Sequence, residues 1–221
     1  MSIAYPPEPW DLTGDLLLSV LRVPPAAVPG LADALPAGHR PVLLGGDAVL
    51  GLAFVRYAEP GDLVYDELLT AVLTRPARPG AHVTIQQIWV TSPASRAGGR
   101  DLWGIPKDLC EVVRHSTATA HHVEVRADGA RVARLTARLG PRLLPGRLPV
   151  PLTTAQRRLD PAGAGGGVVS TNTLRPVVRA LRARWEIAPD GPLRHLLGRP
   201  GLGSVALTGS PIAFGARVER S

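Results

Sequence analysis

Lys107 is the only lysine among 25 basic residues; every other positive side chain is an arginine. The two differ in chemistry more than in charge. A guanidinium stays protonated at any physiological pH, whereas an amine can lose its proton and add to a carbonyl to form a Schiff base. Heavy use of Ala, Gly, Pro and Arg, with almost no Lys or Asn, points to a G+C-rich coding bias that replaces Lys by Arg wherever only charge matters. The surviving amine is therefore a candidate for imine chemistry, against the plain alternative of chance persistence at an exposed position. An ordinary lysine is neutral in only about one molecule in 2,500 at pH 7, so the role demands surroundings that disfavour the ammonium form.

A second candidate lies in VYDELL, residues 64 to 69. In an extended strand Leu63, Tyr65, Glu67, Leu69 and Ala71 share one face, and Glu67 is the only charge on it. A carboxyl among apolar neighbours suits a proton shuttle, with a satisfied structural glutamate as the alternative. The other chemistry-bearing residues are weaker. Gln86 and Gln87 are adjacent and face opposite ways, so one of them, with Trp89, could line a pocket. His121 and His122 also diverge on a strand, and no His/Cys/Asp cluster has ligand spacing, so no metal or cofactor is expected. Cys110 reads as a small buried hydrophobe rather than a nucleophile.

The elements that must carry these residues read mostly as strands. Segments 12–23, 47–59, 62–74 and 82–91 are rich in Val, Leu, Ile and aromatics, with Pro/Gly clusters between them. In HHVEVRADGARVARLTARL, 121–139, Asp128-Gly129 supplies a tight hairpin turn, after which Leu135, Ala137 and Leu139 alternate with Arg134, Thr136 and Arg138. Residues 94–104 suggest a short helix. Segment 173–187 suggests another, starting near Pro176. PAGAGGGVVS, 161–170, lacks a P-loop lysine and reads as a flexible connection.

Composition narrows the function classes. With 45 % hydrophobic residues the chain builds a core and is not disordered. No apolar run has the length of a membrane span, and MSIAYPPEPW does not resemble a signal peptide. With one cysteine no internal disulfide forms; a cytoplasmic protein is expected. The net charge of +7 is spread without a basic block, and aromatics are only 4 %, so nucleic acid is not an expected partner.

GGRDLWGIPKDL, residues 98 to 109, resembles the Gly-Arg-Glu-x-x-x-x-Pro-Lys-Lys signature of the acetoacetate decarboxylase superfamily. VYDE, 64 to 67, resembles that family's Tyr-x-Glu motif, which precedes its lysine at a similar separation; here Glu67 precedes Lys107 by 40 residues. IWVTSPASRAGGR, 88 to 100, sits where the family carries a Tyr-x-Asp-like strand end. The N-terminal third and residues 145 to 200 match loosely. The resemblance implies a mainly β (α+β) fold: antiparallel sheets closed into a cone-like barrel with few short helices. It implies one domain over residues 1–221 that assembles as a homo-oligomer. Lys107 would be the imine-forming amine and Glu67 the pocket acid/base, with Tyr65 beside it. Gln87, Trp89, Trp103 and Arg100 are the further candidate substrate contacts.

The implied activity is that of a lyase on a keto or oxo-acid substrate, either a decarboxylase or an aldolase, dehydratase or cyclase of secondary metabolism. Two alternatives remain: a cyclase of polyketide-like molecules that uses the pocket without an imine, and a non-catalytic ligand-binding barrel. Two departures from the family pattern stand out. Asp108 replaces a second lysine; if 107 and 108 are extended they face opposite ways, and burial alone must depress the amine. An arginine near the family's N-terminus has no counterpart in LTGDLL, which carries Gly14-Asp15.

Overall fold

The computed structural model describes residues 3–77, 80–158 and 166–221. From the N-terminus come β1 (Trp10–Val23), a one-turn helix α1 (Leu31–Ala34), the short β2 (Arg40–Pro41) and β3 (Leu43–Leu44), β4 (Asp47–Ala58), β5 (Tyr65–Arg75) and β6 (His82–Val90). Helix α2 (Pro93–Trp103) leads into β7 (Lys107–Leu109) and β8 (Glu111–Ser116). Then follow β9 (Ala120–Ala127), β10 (Ala130–Arg142), β11 (Val150–Arg157), β12 (Gly167–Leu174), β13 (Val177–Ile187) and the long β14 (Gly201–Arg220). No helix among the described residues is long and apolar enough to cross a membrane.

Strands β1, β4, β5, β6, β11, β12 and β14 are neighbours in that order, and β14 pairs back onto β1, closing a barrel. All contacts in the ring are antiparallel except β6 with β11, which meet in parallel at Thr154 and Val83. Closure removes the exposed edges an open sheet would leave. The expected mainly β barrel with few short helices is therefore what the chain forms.

Two apolar cores result because several barrel strands are buried on both faces. On β4, Val55 and Tyr57 point into the barrel while Leu50, Leu52 and Phe54 point out of it. The interior also takes Trp10 and Leu12 of β1, Tyr65 of β5, Ile85, Ile88 and Val90 of β6, and Ile212 of β14; Trp103 and Ile105 enter from α2 and the segment after it. The outer core lies under a second layer, β13-β10-β9-β8, which continues from β14. There Val123, Val125, Val132, Leu135, Ala137 and Leu181 pack against Leu17, Leu68, Val72 and Trp89. The β9–β10 hairpin turns at Asp128 (φ 50°) and Gly129 (φ 75°), the left-handed pair its sequence suggests.

Two sequence expectations change. Residues 177–187 form strand β13 and not a helix: Leu181, Ala183, Trp185 and Ile187 pack on the outer core, while Arg182, Arg184 and Glu186 alternate with them. That period of two serves a strand that pairs with β10 on one side and β14 on the other, and this pairing outweighs the helix-start signal of Pro176. The glycine-rich connection falls partly outside the described residues, at 161–165; Gly167 to Ser170 belong to β12.

Candidate active site

Strand β5 supplies two interior polar groups, Tyr65 and Glu67, and its antiparallel neighbour β4 places Tyr57 opposite Tyr65 and Val55 opposite Glu67. Helix α2 then carries the chain from the end of β6 back to β7, which runs parallel to β6 with Lys107 beside Ile88. Ser92 caps the start of α2, its hydroxyl accepting from the Ser95 N–H at 3.1 Å. Gly104, left-handed at φ 65°, ends it. The two glycines of GGRD have steric reasons. A side chain on Gly98 would meet the Trp10 ring at 2.5 Å, and one on Gly99 would meet Lys107 Cδ at 2.7 Å. Gly99 is thus the opening through which the lysine stem passes.

Lys107 and Glu67 are each only 4 % exposed. Lys107 Nζ donates to Ser95 Oγ at 2.8 Å, and lies 3.4 Å from the Tyr65 hydroxyl and 3.5 Å from Glu67 Oε2. The Tyr57 hydroxyl donates to the other carboxylate oxygen at 3.2 Å. Nζ sits 5.2 Å from the Tyr65 ring centroid and 5.9 Å from that of Trp10. Burial pushes the lysine below its ordinary value; the charge and hydrogen bond of Glu67 oppose that and raise it. Both phenols are driven well above their usual range, first by burial and then by the nearby carboxylate, so they remain neutral donors. The aromatic walls Trp10, Tyr57, Tyr65, Trp103 and Phe214 close around a space of about 20 Å³, room for roughly one water.

Lys107, Glu67, Tyr65 and Trp103 thus converge on one cavity. Gln87 and Trp89 do not join them. A bulge opposite Thr70 and Ala71 adds Gln86 to β6, so that Ile85 and Ile88, three apart, both face inward. Both glutamines and Trp89 line a separate cleft outside the barrel, where Gln87 Nε2 donates to the Pro192 carbonyl at 3.3 Å. Arg100 also lies outside the cavity lining: its Nε donates to the Lys107 carbonyl and its Nη2 to Asp108, each at 2.6 Å. Asp108 faces solvent, away from Nζ, as extended geometry requires. The Cys110 thiol, pushed up to about 12 chiefly by burial, is no nucleophile at neutral pH. Sequence reasoning missed Ser95, Tyr57, Trp10 and Phe214. Only Ser95 left a trace, one helical turn beyond the Ser92-Pro93 helix start.

Residues 2–186 match the sequence family Acetoacetate decarboxylase (ADC). The chain belongs to the acetoacetate decarboxylase family. No curated protein matches it by sequence. Among solved structures, the acetoacetate decarboxylase of Legionella pneumophila is similar at TM-score 0.75 and 15 % identity, covering 96 % of this chain and 87 % of that one. The enduracididine biosynthesis enzyme MppR, complexed with pyruvate, is similar at TM-score 0.68 and 16 % identity, covering 98 % and 91 %. An acetoacetate decarboxylase-like enzyme from Sphingomonas wittichii RW1 is similar at TM-score 0.64 and 19 % identity, covering 96 % and 89 %. At these identities the likeness is one of fold.

Proposed function

We propose that this family member is a lyase that forms an imine between Lys107 and a small carbonyl substrate and uses it as an electron sink. The single observation that carries the reading is the burial of the only lysine beside a carboxylate, with its amine shifted toward the neutral form. The neutral amine adds to the carbonyl carbon, and the oxygen leaves as water after taking up protons. Glu67, 3.5 Å from Nζ, is positioned to give and take those protons, while Ser95 at 2.8 Å holds the amine's direction. The iminium then draws electrons from the adjacent bond, which suits decarboxylation, aldol cleavage or formation, or loss of water. MppR, which shares the fold, is described as complexed with pyruvate, which supports a small carbonyl ligand for this fold.

The test is reductive trapping: borohydride is added with acetoacetate, pyruvate and a panel of small ketones and aldehydes, and the protein is digested and mapped. A reduced adduct on the peptide containing Lys107, absent from Lys107→Arg, is expected. If no carbonyl leaves mass on Lys107, imine catalysis is wrong.

A further inference from the structure

Among the described residues lining the cavity, Lys107 is the only cation and Glu67 the only anion; the others are aromatic or aliphatic. Among the described residues no arginine lines it, although the chain is rich in arginine, and Arg100 is committed to the outer side of β7. The neutral donors are few. Tyr57 already serves Glu67, the Tyr65 hydroxyl lies 3.4 Å from Nζ, and Trp103 Nε1 is buried in the wall with no partner among the described residues. A neutral donor can satisfy an oxygen but offsets no charge.

Resting on the imine reading, we propose that the site selects small neutral ketones or aldehydes over oxo acids of the same size. The charge balance of the step carries the inference. The Lys107–Glu67 pair, sharing one proton beyond the amine and the carboxylate, and a neutral carbonyl together give a protonated imine, a Glu67 carboxylate and one water. A C=N double bond replaces the C=O double bond, two of the pair's three exchangeable protons leave with the oxygen, and the cavity stays neutral throughout. An oxo acid adds a carboxylate that no cation in the wall matches, so the cavity ends with an excess negative charge in an apolar, buried space.

The experiment compares pyruvate with pyruvamide, its neutral counterpart of equal size, in borohydride trapping at matched concentration. The α-amine of the same chain serves as internal reference, since Lys107 is the only lysine. The expected ratio of Lys107 adduct to α-amine adduct is on the order of tenfold or more higher for pyruvamide. In Glu67→Gln, with the anion gone, the gap should shrink to a few-fold or reverse. A ratio for pyruvate equal to or above that for pyruvamide overturns the substrate class while leaving imine formation standing. A gap that Glu67→Gln does not alter overturns charge balance as its origin. Adducts on the α-amine alone, with either compound, overturn the imine reading itself and this inference with it.

Discussion

The two sides of β7 place charges in opposite ways. Inward, Lys107 and Glu67 stand 3.5 Å apart with side chains 5 % exposed; outward, one residue on, Asp108 and Arg100 meet at 2.6 Å with side chains 60 % and 36 % exposed. The tight pair sits in water, where such contacts add little to stability, and the loose pair sits where desolvation is costly. A buried pair held at the outer limit of contact is a poor structural device. It is a reasonable way to keep an amine poised between its charged and neutral forms, because burial and the carboxylate pull that amine in opposite directions. The outer pair instead braces the strand, since Arg100 also holds the Lys107 carbonyl.

The sharpest way to break this contrast is at the amine. Lys107→Arg keeps a positive charge and Lys107→Met keeps the length; both should abolish trapping and lower turnover by on the order of 10³-fold or more. Retained turnover in Lys107→Arg, with a thermal melt like that of the unaltered protein, would reduce Lys107 to a charge. Next comes Glu67→Gln, expected to slow proton-dependent steps by roughly 10²- to 10⁴-fold. Its pH dependence has a definite sign. Glu67 raises the Lys107 value against the effect of burial, so removing its charge lets that value fall further. Neutral amine then appears at lower pH, and the trapping profile should move in the acid direction. A profile displaced toward alkaline pH refutes the opposition between burial and carboxylate.

How much of this was legible in the sequence follows from which contacts are local. Tyr65 and Glu67 lie two apart on one strand, so period-two geometry alone aligns them, and Lys107 was conspicuous as the one amine in an arginine-rich chain. Tyr57, Ser95, Trp10 and Phe214 reach the same cavity only through barrel closure and the return of α2, which residue spacing does not encode. Gln87 and Trp89 were drawn toward the pocket by alternation, and one extra residue in β6 defeats that argument. Pro176 precedes β13 and its run of arginines, a helix-start pattern, yet the Leu181, Ala183, Trp185 alternation is in plain view. The barrel itself was readable as a class, from strand patterning and the resemblance, but not the outer layer that gives its strands a second buried face.

Smaller effects sharpen the comparison. Gly99→Ala would set a methyl 2.7 Å from Lys107 Cδ and 2.8 Å from Cε, closer than carbon atoms pack, so the buried stem must shift to clear it. Overpacking of this kind costs about 1–3 kcal/mol, and it should displace Nζ from Ser95 as well. The melt and the trapping rate should therefore fall together. A lowered melt with an unchanged rate would mean that the glycine serves packing alone.

The smallest expected effect tests the outer face directly. Asp108→Asn removes the acidic partner of Arg100 but leaves the Arg100 Nε bond to the Lys107 carbonyl available. Both partners are substantially exposed, so the loss of stability should not exceed about 1 kcal/mol and should shrink further in high salt. Asp108 points away from Nζ across the strand, and its charge is already answered by a guanidinium at 2.6 Å. The pH profile of trapping should then superimpose on that of the unaltered protein. A shift to lower pH would mean that the carboxylate at 108 helps hold the amine protonated. The residue standing where the family signature has a second lysine would then act across the strand as an opponent of burial, and the two faces of β7 would no longer be electrostatically separate.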